Sequence, residues 1–108
     1  NSACAVVASH AIGSVPFLIK DGQNGLIYRD GDVEELYLHV KKLLDNKQFR
    51  EELALNAYQT MVSEWNPSVA AKKLLVLFEK LLVGEKRPFP YSDGVLSKAT
   101  LLKNNWKK

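Results

Sequence analysis

Ser9 and His10 stand side by side at the end of an apolar run, and Gly13 and Ser14 follow within one short loop. A hydroxyl, an imidazole and a flexible backbone in that order could hold a phosphate or a sugar hydroxyl. They equally suit a tight strand-to-helix turn with a capping serine. Ser9 and His10 do not make a nucleophile and its base, because neighbours on an extended chain point to opposite sides. Chemistry is sparse elsewhere. Cys4 is the only cysteine, so no intramolecular disulfide and no cysteine-based zinc site can be built. A single thiol suits a reducing compartment, and with no base beside it Cys4 is expected to be a small buried hydrophobe. His39, between Leu38 and Val40, is expected to be solvated or partly packed. The pairs Glu34-Glu35 and Glu51-Glu52 are expected on solvated helix faces. No Gly-x-Gly-x-x-Gly and no Walker loop occurs, and no metal site is expected.

The elements that position these residues follow from patterning. Cys4–Ser9 is apolar without alternation, as in a strand buried on both faces of a parallel sheet. Ser14 can cap a short helix over residues 15–19, with Pro16 in its first turn, where a missing N–H costs little. The N–H groups that open this helix offer an anion-facing surface. Lys20–Gly25 is a turn by composition, with an Asn and two glycines able to take positive φ. Residues 25–28 form a second strand. Asp32 and Glu35 predict a capping box that opens a helix. The face of that helix is Val33, Leu36, Val40 and Leu43, widened by Tyr37 and Leu44. A further helix is expected over 47–63, with Phe49, Leu53, Ala57 and Met61 on one stripe. Asn66 and Pro67 then open a helix whose buried stripe is Ala70, Leu74, Leu77, Phe78 and Leu81. Trp65 is expected to staple its start.

One domain at most fits 108 residues. Residues 1–84 are expected to form a partial domain and 85–108 a tail, with Val95–Leu102 a short amphipathic piece. The net charge of +3 belongs to that tail, which carries six Lys/Arg against two Asp/Glu. Trp106 among Lys103, Lys107 and Lys108 suits a partner groove or a membrane headgroup surface. The tail is too short and too poor in arginine for reading nucleic-acid bases. Two parallel strands joined by a crossover leave apolar strand edges unpaired. The pattern is that of the closing part of an α/β domain whose opening strands lie elsewhere, and Asn1 rather than Met begins it. Self-association of the isolated chain is expected. In open α/β sheets ligands bind outside the carboxyl ends of the strands. Ser9, His10, Gly13 and Ser14 are therefore the candidate substrate-binding residues, with Tyr28, Arg29 and Asp30 beside them.

The stretch CAVVASHAIGSVPFLIKDGQNGLIYRDGDVEELYLHVKKLLDN resembles the C-terminal nucleotide-binding domain of GT-B glycosyltransferases of the group 1, or family four, type. An apolar strand ending in Ala-Ser leads to Gly-x-x-Pro and a short Leu-Ile helix. Asp-Gly-x-Asn-Gly, a second apolar strand and Gly-Asp before an amphipathic helix follow in order. The resemblance covers residues 1–83. It implies a Rossmann-like α/β fold, here two short parallel strands and about four helices. It also implies transfer of a sugar from a nucleotide-sugar donor to a glycan or lipid-linked acceptor, with retention and without a metal or other cofactor, as in cytoplasmic polysaccharide biosynthesis at the inner face of a membrane. The family's paired glutamates would precede Asn1, so no catalytic residue is expected on this chain and the chain alone is expected to be inactive. Its tail commonly crosses onto the other domain. Where that domain is absent, the tail is expected to be mobile or to dock on a neighbouring chain. Ser14 and Phe17 replace a glycine and an acidic residue that the family often carries, so no polar role falls to Phe17. The alternative function is a non-catalytic interaction module whose basic tail binds an acidic partner or a membrane surface.

Overall fold

The computed structural model describes residues 2–86, 91–92, 94–98, 102–103 and 105–107. Strands β1 (Val7–Ser9) and β2 (Leu26–Tyr28) run parallel, with Val7 opposite Leu26, Ala8 opposite Ile27 and Ser9 opposite Tyr28. Helix α1 (Val15–Leu18) lies in the crossover. Helices α2 (Val33–Asp45), α3 (Lys47–Ser63) and α4 (Pro67–Leu82) follow. This is the expected α/β arrangement, a Rossmann-like piece of two parallel strands and four helices.

Local chemistry explains most boundaries. Asp32, Asn46 and Asn66 cap α2, α3 and α4 by accepting from Glu35 N, Phe49 N and Val69 N at 2.9–3.0 Å. Pro67 takes the first position of α4. The Arg50 guanidinium donates to Leu43 O at 2.6 Å, satisfying a carbonyl at the end of α2. Three expectations change here. Ser14 makes no side-chain cap bond to α1; its own backbone is already helical. Glu35 does not close the capping box but accepts from Arg29 N instead, at 2.6 Å. Asn24 does not take positive φ, which in this turn belongs to Gly22. Asn24 is buried, and its amide ties the turn to α3. Its oxygen accepts from Lys20 N at 2.7 Å, and its nitrogen donates to Leu18 O at 3.1 Å and Thr60 Oγ1 at 3.0 Å.

The core is small: Leu26, Leu43 and Leu53, with Ala5, Val7 and Phe49 packed against them. The expected stripe of α3 faces it, with Leu53 1 % exposed and Phe49, Ala57 and Met61 half-buried. The inward face of α2 departs from expectation. Leu36, His39 and Leu43 point in, while Val33, Tyr37, Val40 and Leu44 are exposed. Helix α4 departs further, burying no residue. Its half-buried side is Ala70, Lys73, Leu77 and Lys80, whereas Leu74, Phe78 and Leu81 of the expected stripe stand exposed. The cause is common to both helices: among the described residues no further layer lies opposite these faces. Cys4, expected to be buried, is exposed as well. Trp65 is half-buried, and its Nε1 has no hydrogen-bond partner among the described residues. Of the expected amphipathic piece, Val95 and Leu96 lie in a turn and 99–101 fall outside the described residues.

The two edges of the sheet differ. Val6 O and His10 N bond to Leu26 N and Tyr28 O. By strand parity the backbone of Val7 and Ser9 therefore faces the opposite edge, where no strand lies among the described residues. On the outer edge of β2, Ile27 N donates to Asp21 Oδ1 at 2.8 Å, and Ile27 O meets His39 Nε2 at 3.3 Å and the Lys107 ammonium. Side chains thus seal β2, and among the described residues no strand covers β1.

Candidate functional site

The carboxyl ends of β1 and β2 bring the predicted residues to one edge, in two different environments. Ser9 and His10 are buried. Ser9 Oγ donates to Asp30 Oδ1 at 3.0 Å and accepts from Ala11 N at 3.2 Å. His10 Nδ1 accepts from Asp30 N at 2.8 Å, which sets the neutral ring with its proton on Nε2. Both side chains therefore bolt the end of β1 to the residues after β2. Gly13 and Ser14 are exposed, and nothing approaches within 4 Å of the position a Gly13 Cβ would take. With Ala11 and Ile12 they form an accessible part of this edge.

Beside them lies a group that inspection of residue types missed. The Glu35 carboxylate, held by Arg29 N at one oxygen, accepts from the Lys107 ammonium at 2.7 Å with the other. His39 Nε2 sits 3.8 Å from the same oxygen. The Lys107 hydrogen bond first, then the Arg29 N–H, hold the Glu35 carboxyl below the usual carboxylate range, against a smaller opposing effect of burial. The capping position of Glu35 marked it as structural; nothing nearby in sequence announced Lys107.

The tail completes the edge. Trp106 Nε1 donates to His10 O at 3.2 Å, and the two rings meet at 6.0 Å between centroids, tilted by 57°. Lys107 reaches Ile27 O as well as Glu35. The segment thus docks on this chain's own sheet edge, where acceptors and a carboxylate are available, instead of standing free. A cavity of about 240 Å³ remains between it and the first loop, lined by His10, Gly13, Phe17, Leu102, Lys103 and Trp106 among others. No cluster of three or more His, Cys, Asp or Glu that could hold a metal occurs among the described residues.

Chemically the edge offers exposed residues at Gly13 and Ser14, and the docked tail walls in the space beside Gly13 with Lys103 and the Phe17 and Trp106 rings. Comparison with curated proteins and with solved structures gave no match. The family model for glycosyl transferases group 1 matches residues 2–60. That span is more than half of the chain and runs from the entrance of β1 into α3, so it contains every residue of the edge except those of the tail. The parallel strands, the loop at the end of β1 and this match together make the chain a member of the group 1 glycosyl transferases.

Proposed function

We propose that this chain is the closing part of the donor-binding half of a sugar transferase. The carrying observation is the family match over the elements that build the carboxyl edge. The donor is a nucleotide sugar whose phosphates lie against the Gly13–Ser14 backbone, with Ser9 and His10 holding that loop in shape. The acceptor is a glycan or a lipid-linked saccharide, and the transferred group is a hexosyl unit. The open edge of β1 takes the strands that complete the sheet, and the catalytic carboxylates come with them, so the chain by itself has no transferase activity.

Calorimetric titration with uridine, guanosine and adenosine diphosphates tests this in the full-length transferase that contains the chain. Binding of at least one is expected, with measurable but weaker binding by residues 1–108 alone. Silence with every nucleotide overturns the reading.

A second reading has one observation in its favour. The outward face of α4 carries Leu74, Leu75, Phe78, Leu81 and Leu82, all exposed, with Lys72 beside it. An apolar stripe rimmed by a cation suits the headgroup region of a membrane, and the protein would then work at the cytoplasmic face. No helix among the described residues is long and apolar enough to cross a membrane. Retention on anionic vesicles that vanishes with Leu75→Glu and Leu82→Glu supports peripheral contact; equal retention of the variant removes it.

A further inference from the structure

Three features of the tail segment bear on the edge just described. Its two anchors are chemically independent. Trp106 donates to a backbone carbonyl at the end of β1, and Lys107 pairs with a helix-borne carboxylate and a carbonyl of β2. Both partners are half-buried, Lys107 to the point that only 14 % of its side chain is exposed. The segment also forms one wall of the cavity over Gly13. The Trp106 indole and His10 line that cavity together.

We propose that Trp106 and Lys107 form a strap across the carboxyl edge of the sheet, and that the strap and a phosphate-bearing ligand occupy this edge in turn. The inference rests on the donor-edge reading above and adds its regulation. Binding at Gly13–Ser14 requires release of the strap, so the free chain is held in a closed state. The ligand's differential affinity for the released state sets how far it can open it. The sign of the effect separates a strap from simple attraction. Removing residues 105–108 takes away Lys107 and Lys108. If the lysines merely attracted anions, their loss would weaken binding. If the segment is a strap, its loss strengthens binding.

The experiment uses the 108-residue chain labelled with ¹⁵N and inorganic pyrophosphate as the probe. A Trp65→Phe background leaves Trp106 as the single indole, and circular dichroism confirms that each variant keeps its helices. In the unmodified background, Trp106 emission is expected to be that of a packed indole and to shift to the red with Lys107→Ala. Pyrophosphate is expected to move the Gly13 and Ser14 amide resonances, with affinity rising about fivefold or more in Lys107→Ala and in the chain ending at residue 104. Solvent-exposed Trp106 emission in the unmodified background overturns the strap. So does an affinity that stays level or falls on truncation, whereas the donor-edge reading survives both results. Absence of any Gly13 or Ser14 shift in every variant, with Trp106 packed, sinks the donor edge in this chain, and the strap with it.

Discussion

Glu35 is the residue on which the tail's docking turns. It receives the Arg29 N–H, the Lys107 ammonium and, at longer range, the His39 ring. Its folded-state acidity is raised, so the docking it supports is fully present above its ordinary value of about 4.5. That contribution is lost as pH falls below this value through the lowered one. Trp106 emission followed from neutral pH downward should therefore shift to the red only in strongly acid solution. Glu35→Gln should release the tail at neutral pH without unfolding the helices. A neutral-pH spectrum identical in the two proteins counts against the pairing. Asn24 acts at the same scale on stability. Replacing it with Ala removes the three bonds by which this buried amide joins Lys20 N, Leu18 O and Thr60 Oγ1. A hydrogen bond contributes about 0.5–1.5 kcal/mol net, so Asn24→Ala should lower the unfolding free energy from urea titration by about 2 kcal/mol or more. Gly25→Ala should do likewise, since its Cβ would lie 2.8 Å from Ile19 Cγ2 and 3.3 Å from Val6 O; overpacking of this kind costs about 1–3 kcal/mol.

The elements were legible in the sequence wherever their cause is local. Caps at Asp32, Asn46 and Asn66, the proline opening α4 and the parallel pairing of two unalternating apolar runs all follow from residues a few positions apart. The inward face of a helix was less legible. Helix α2 carries apolar residues around much of its circumference, and half-buried His39 takes a place that Val40 was expected to fill. Helix α4 has its richest apolar side turned away from the chain, because the covering layer is not among the described residues. The tail's site was not legible at all, since its contacts span 72 to 96 residues of sequence and no periodicity reports such a pairing. The sequence reading named Ser9, His10, Gly13 and Ser14, and all four follow β1 at its carboxyl end; that the Ser9 and His10 side chains engage Asp30 was not legible, since that partner lies some twenty residues on. The exposed face of α4 makes its own prediction. Leu75→Ser and Leu82→Ser should leave the unfolding free energy from urea titration within about 0.5 kcal/mol, as surface substitutions do, while Leu53→Ala should cost about 2–5 kcal/mol from the core.

At the scale of the molecule, shape and edges carry the argument. The chain extends 54 × 29 × 14 Å with a radius of gyration of 16.6 Å, against the ~13 Å of a compact domain of about 100 residues. A plate this thin has one sheet and too little cover, which leaves the core with three buried leucines at its centre. Its free surfaces are not equivalent. Side chains of Asp21, His39 and Lys107 close the outer edge of β2, so additional strands have only β1 to join. Open edges flanked by apolar surface recruit other chains, and the isolated protein should self-associate as its concentration rises. Parity makes that prediction specific. Val7 directs its backbone N–H to the open side, while Ala8 and His10 direct theirs to β2. Hydrogen exchange should find the Val7 amide fast in dilute solution and protected in concentrated solution, with Ala8 and His10 protected in both. Light scattering should show the mass growing over the same range. A monomer at every concentration, or protection of Val7 that does not change with concentration, would mean that the edge of β1 is already covered by this chain.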